Sequence, residues 1–182
     1  MKKGGGKSKG SAFERKICQE LSKWVSYDKR DDIFWRSAMS GGRATVGMKR
    51  GITRTSQAGD ITAIDSSGQK LTNNFVIECK FYRNIHIESM MFGKPKNNSI
   101  LEFWTKLYTD SLKLGKDMML IIKQNNSSTL IALPVYSYLN SALKDYDNVK
   151  PVASFMNTNP GCYLYDFKKF LKEVDPIILK IN

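Results

Sequence analysis

Hydrophobic and polar positions alternate along this chain in two rhythms. Between Phe13 and Val25, apolar residues recur every three or four positions at Phe13, Ile17, Cys18, Leu21, Trp24 and Val25. That spacing predicts an amphipathic helix over 11–25. Ser11 stands where an N-cap belongs, and Glu14 follows in the S-x-x-E capping-box position. A second helix is predicted over 100–114, where Leu101, Trp104, Leu107, Tyr108 and Leu112 fall near helical spacing. Shorter apolar runs predict strands over 60–65, 75–81, 118–123 and 129–133. Ser66-Ser67-Gly68 and Thr72-Asn73-Asn74 read as turns between the first two strands, and Asn125-Asn126-Ser127 as the turn between the last two. A short helix over 136–144 and a final one over 166–174, with Asp166 as its N-cap, complete the pattern. This order implies an α/β fold, a central mixed β-sheet flanked by helices.

Two segments break the rhythm. Residues 1–10 carry Lys2, Lys3, Lys7 and Lys9 among glycines with no acid, and read as a flexible basic arm ahead of a single domain over 11–182. Residues 37–57 hold Gly41, Gly42, Gly47 and Gly51 with little apolar periodicity, and read as a long mobile loop. From Arg36 to Arg54 the chain has five basic residues (Arg36, Arg43, Lys49, Arg50, Arg54) and no acid. About 134–182 reads as a C-terminal extension.

Charge sharpens the picture. Among 182 residues, 29 Lys and Arg face 17 Asp and Glu, a net charge of +12. The arm and loop hold most of that surplus, and localised positive charge points to a polyanion, above all nucleic acid. The hydrophobic share, 41%, is enough to close a core. The longest apolar run, Met118 to Ile122, is far short of the ~20 residues of a membrane span. Basic Met1 to Gly10 is followed by no apolar stretch, so it does not read as a secretory signal. Three widely spaced cysteines (Cys18, Cys79, Cys162) offer neither a CxxC pair nor a disulfide framework, and suit a reducing cytoplasm. A single histidine, His86, disfavours chemistry built on paired histidines. Carboxylates and lysine remain.

The pattern [DE]-x-K occurs three times. At Glu14-Arg15-Lys16 a helix turns the two side chains ~200° apart, and Asp166-Phe167-Lys168 sits at a helix start. Only Glu78-Cys79-Lys80 lies in a β-rich run, where residues two apart share a face. If the strands over 60–65 and 75–81 pair as a hairpin-like unit, Asp60 reaches the same site. Two carboxylates and a lysine at a sheet edge suit a hard divalent cation such as Mg²⁺, with a scissile phosphate bridging protein and metal. The competing reading is a cross-strand surface pair between Glu78 and Lys80.

Glu14 adds to this constellation. With ~100° per residue and Phe13 at zero, Leu21 falls near 80°, Val25 near 120° and Glu14 near 100°, inside the apolar arc. A carboxylate there needs a partner, a hydrogen bond or a metal. The capping box is one way to satisfy it, and a place in the metal site is the other.

Taken together, Lys9-Gly10-Ser11-Ala12-Phe13-Glu14-Arg15, Ser40-Gly41-Gly42, Gly59-Asp60-Ile61 and Ile77-Glu78-Cys79-Lys80 resemble the PD-(D/E)XK nuclease superfamily. Within it, the similarity is to the archaeal-type Holliday junction resolvases and their phage-encoded relatives, from about Lys9 to Leu133. The resemblance implies a restriction-endonuclease-like fold and a metal-dependent endonuclease. Asp60 and Glu78 would be metal ligands, joined by Glu14, and Lys80 the catalytic lysine. Ser40 resembles a serine used near the scissile phosphate, with Ser37 as its rival. Mg²⁺, with Mn²⁺ as substitute, is the implied cofactor. A homodimer cutting four-way DNA junctions in the cytoplasm of a bacterial or archaeal host is the implied setting. One departure is that Gly59 stands where the superfamily has its eponymous proline. Alternatives are a nickase or restriction-like nuclease of the same fold, and a non-catalytic basic DNA-binding protein whose carboxylates are structural.

Backbone contacts are expected from Arg36, Arg43, Lys49, Arg50 and Arg54 in the loop and from Lys7 and Lys9 in the arm. Such contacts give salt-sensitive affinity with little sequence discrimination. Trp24, Trp35 and Trp104 read as core anchors, Phe81 and Cys79 as buried, Tyr82 as exposed, and His86 as a surface residue.

Overall fold

The computed structural model describes residues 5–37, 59–94, 96, 97, 99–143 and 146–180. Helix α1, Gly5–Val25, buries Phe13, Ile17, Cys18, Leu21 and Trp24 as one stripe. It begins at Gly5, so residues 5–10 of the expected arm are helical and Ser11 lies inside the helix, where it cannot act as an N-cap. The extra turns have tertiary support: Lys9 Nζ sits 4.1 Å from the centre of the Phe81 ring and bonds Asn125 Oδ1. Tyr27 and Asp28, at φ 53° and 62°, end the helix by returning the Asp28 N–H to Lys23 O at 2.8 Å.

Strand β1, Phe34–Arg36, follows. Buried Ser22 Oγ accepts the N–H groups of both Ile33 and Phe34, at 3.1 and 3.0 Å, and so fixes the start of β1 against α1. Strand β2, Ile61–Ala63, pairs antiparallel with β1 in a separate two-stranded sheet, Arg36 opposite Ile61. Helix α2, Ser66–Asn74, then replaces the expected turns. Asp65 caps it, accepting Ser67 N–H at 2.9 Å, and Gly68, Leu71 and Thr72 are buried. The hairpin-like pairing of the two strands is thereby overturned: a helix between them delivers the second strand parallel to the first.

That second strand is β3, Phe75–Tyr82. Beyond it lie helix α3, Glu88–Phe92, and helix α4, Ile100–Leu114, capped by Ser99 accepting Glu102 N–H at 3.1 Å. Strands β4, Asp117–Gln124, and β5, Thr129–Pro134, precede helix α5, Tyr138–Ala142, strands β6, Ala153–Phe155, and β7, Cys162–Asp166, and helix α6, Phe167–Glu173. Asp166 caps α6 as expected, accepting Lys169 N–H at 2.9 Å. The main sheet runs β3-β4-β5-β7-β6, with β3 and β4 parallel and the remaining pairs antiparallel.

The apolar run of β4 divides between two cores. Met119 and Ile121 join Ile77, Ile131, Tyr165 and the helices α1, α2 and α6 on one face. Met118, Leu120 and Ile122 join Val76, Ala132, Leu164 and α4 on the other. Period-two alternation with both faces covered explains why this strand carries no polar residue at its centre. The stretch after 133 is no appendage, since β6 and β7 complete the sheet and, with α6, contribute to both cores. Its strands escape a local reading because β6 is three residues long and β7 depends on a cross-strand partner. Trp24 and Trp104 are buried, with their indole N–H groups on Val174 O and Pro160 O at 2.7 and 2.8 Å. Trp35 is instead 56% exposed, because it lies on the outward face of β1 while Phe34 and Arg36 face α1.

Candidate active site

β3 forms one edge of the main sheet, and the segment before β2 lies along it. Gly59 bridges to Ile77 in parallel, and Asp60 N–H donates to Ile77 O at 2.8 Å. The approach is close: a Cβ on Gly59 would lie 2.5 Å from Ile77 O, and Gly59 itself has φ 83°. Proline, fixed near φ −65°, cannot adopt that conformation. The glycine in place of the eponymous proline is therefore a requirement of this backbone.

Asp60 is delivered by this bridge. Its Oδ2 accepts the Cys79 N–H at 2.9 Å, so the carboxylate takes a ladder bond at the edge of β3. Cys79 is the residue between Glu78 and Lys80, and Asp60 is thus anchored beside both. Glu78 and Lys80 pair with each other, each side chain 20% exposed. Asp60 is 7% exposed. Burial, then the charge of Glu78, pushes its carboxyl pKa up to about 7, against the opposing pull of Lys80 and the Cys79 N–H. Burial acts to lower the pKa of Lys80, but Glu78 and Asp60 outweigh it and hold the ammonium above its ordinary value. Lys80 is accordingly a fixed positive charge at neutral pH. Burial, followed by the same two carboxylates, holds the Cys79 thiol protonated.

Glu14 faces inward from α1 as its place on the apolar arc requires, with its side chain 14% exposed. Its partner is Arg36, whose Nε donates to Glu14 Oε2 at 2.5 Å. The capping box is thereby replaced by a partly buried ion pair, and Arg36, expected to contact nucleic acid, is engaged in the protein. Its role had no local signature, because the two residues meet only when β1 docks on α1. Ser37 is buried and donates its N–H to Asp60 O at 2.9 Å.

Ser40, Arg43, Lys49, Arg50 and Arg54 lie outside the described residues, and Lys7 lies in the first turns of α1. A cleft of about 490 Å³ opens between α1 and the end of β3, lined by Lys9, Glu14, Cys79, Lys80, Phe81 and Arg83 among others. Arg83 was not singled out by any pattern; its position just past the strand bearing Glu78 and Lys80 was the available signal. Phe81 is partly buried, and Tyr82 is half-buried against Phe103. His86 is exposed and bonds Glu88 at 2.7 Å.

Among the described residues, no group of three or more His, Cys, Asp or Glu side chains is placed to hold a metal ion. Asp60 and Glu78 act as a pair. A hard divalent cation fits that pair: burial, then the charge of Glu78, raises the Asp60 pKa, and added positive charge would oppose both effects. Mg²⁺ takes few protein ligands, filling its other positions with water and phosphate oxygens.

A family model described as phage putative PDDEXK endonuclease matches residues 5–179. No curated protein and no solved structure matches the chain.

Proposed function

The chain belongs to this family of phage PDDEXK endonucleases, and from that premise we propose that it is a Holliday junction resolvase. On this reading it hydrolyses DNA phosphodiesters with Mg²⁺ or Mn²⁺, and two copies cut opposed strands of a four-way junction in the host cytoplasm. The observation that carries the hydrolytic reading is the anchoring of Asp60 on Cys79 N–H, between Glu78 and Lys80. The junction as substrate is supported by the likeness of Ser40-Gly41-Gly42, within a basic stretch, to the resolvase motif.

Asp60 and Glu78 would hold the cation, and Glu14 would join them from α1 only on releasing Arg36. The bound ion would polarise the phosphate and make water a nucleophile near neutral pH. Lys80 places a permanent positive charge beside the carboxylates, where negative charge develops on the phosphoryl oxygens. The Cys79 N–H fixes the orientation of Asp60 before substrate arrives. Ser40 sits near the scissile phosphate in this reading, and Arg43, Lys49, Arg50, Arg54, Lys7 and Lys9 contact backbone phosphates.

The test is cleavage of a labelled four-way junction beside a linear duplex of the same arms, with Mg²⁺, with EDTA, and with Lys80→Ala. Metal-dependent paired nicks confined to the junction and lost in the variant are expected. Equal cutting of both DNAs would replace the resolvase reading with a general nuclease. Tight binding with no cutting of either would replace it with a DNA-binding protein.

A further inference from the structure

The cleft continues past Lys80. Because β3 and β4 are parallel, their carboxyl ends lie side by side, the end of α/β strands at which ligands gather. The register sets Phe81 opposite Lys123. Lys9 Nζ lies 4.1 Å and Lys123 Nζ 5.8 Å from the centre of the Phe81 ring, so one aromatic side chain holds two ammonium groups. Arg83 follows β3, is exposed, and lines the cleft that Lys80 lines. The acid in that cleft, Glu14, is neutralised by Arg36. Tyr82 stacks on Phe103, with ring centres 5.3 Å and planes 14° apart, so its ring packs within the protein and is no platform for a base.

We infer that Lys9, Lys123 and Arg83 form a phosphate track that carries one strand of the nucleic-acid backbone away from Lys80 without reading its bases. The inference rests on the nuclease reading and gives that site its substrate path. Lys80 and Arg83 are three residues apart, about 10 Å at the rise of a strand. The track therefore meets phosphates within about three nucleotides of the cut.

The test is fluorescence anisotropy of a labelled junction and a labelled duplex in EDTA, between about 50 and 200 mM KCl. The proteins are wild type, Arg83→Gln, Lys123→Gln, their double variant, and Lys172→Gln as a control whose side chain is 81% exposed. Each track variant should lower the slope of log affinity against log salt by about 0.9, and the pair by about 1.8, on both DNAs. Lys172→Gln should leave the slope unchanged. Unchanged slopes in both single variants, or an equal loss in Lys172→Gln, overturns the track. Arg83 lies beyond the end of β3, so its variant keeps the test readable if Lys123→Gln disturbs β4. Wild-type cleavage in Mg²⁺, run in parallel, separates the two readings. Cleavage with unchanged slopes refutes the track alone; reduced slopes without cleavage support the track and refute the nuclease.

Discussion

Arg36 Nε and Glu14 Oε2 meet at 2.5 Å, and through this contact the short strand β1 is locked to the face of α1 that packs on the main sheet. The pair joins an acid that the helix turns inward to a base 22 residues later. Arg36→Ala strands a carboxylate that is 14% exposed and should lower stability by about 1–3 kcal/mol. Glu14→Gln, which keeps the shape and removes the charge, should lose less. Urea unfolding of the two single variants and the double variant measures the coupling; additive losses would show that the pair contributes nothing.

Gly59→Ala should destabilise by at least about 2 kcal/mol, since its φ of 83° is strained for any side chain and the new Cβ meets Ile77 O at 2.5 Å. Gly59→Pro, which would write the eponymous proline back into the motif, should do worse, because proline cannot reach that φ. Thermal unfolding ranks the three proteins. A Gly59→Pro variant as stable as wild type would mean that Asp60 is not delivered by this bridge.

Metal-free stability should carry the mark of Asp60. Its folded pKa of about 7 lies above the ordinary 3.8, so the folded state binds the proton more tightly than the unfolded chain. The stabilisation this provides is complete below about pH 4 and is lost as pH rises through 7. Asp60→Asn has no such group. The stability of Asp60→Asn relative to wild type should therefore grow between about pH 4 and 7 and level off above 8. A difference that stays flat across that window would contradict the burial of this carboxyl beside Glu78.

Millimolar Mg²⁺ should raise the melting temperature of wild type at pH 8, because an ion bound only to the folded state stabilises it by mass action. Asp60→Asn and Glu78→Gln should show little or no rise. An equal rise in all three proteins would place the ion elsewhere.

Asp60→Ala and Glu78→Ala should abolish cleavage while retaining DNA binding, or strengthening it, since each removes a negative charge beside Lys80, which lines the cleft with Lys9 and Arg83. Lys80→Ala should lose about 10²-fold or more in cleavage rate, the scale of removing one electrostatic stabiliser of a transition state. Binding that falls in step with cleavage would mean that these residues hold the fold or the DNA.

The parts of this site that were legible in sequence are those governed by local geometry. Alternation along β3 puts Glu78 and Lys80 on one face, and the 100° step of α1 puts Glu14 among apolar residues. Helix α4 was legible end to end because its apolar stripe is long. The helix Ser66–Asn74 was not, since Leu71 is its one large apolar residue and Asn73-Asn74 imitates a turn. Its cap at Asp65 was the missed cue. Strand β7 alternates Cys162 and Leu164 against Tyr163 and Tyr165, but this alternation divides two cores and not core from solvent, so only its cross-strand partners define it. Contacts such as Arg36 to Glu14, or Lys123 beside Phe81, depend on docking and strand register, and no window of neighbouring residues contains them.

The strand order β3-β4-β5-β7-β6 also makes the framework depend on the last-made part of the chain. Strand β7 lies between β5 and β6, and the Trp24 indole of α1 bonds Val174 O at 2.7 Å. Until Cys162–Asp166 has been made the sheet is open at β5, and until Val174 has been made the helix bearing Glu14 lacks its distal anchor. A nascent or prematurely terminated polypeptide thus holds Asp60, Glu78 and Lys80 without the framework that aligns them.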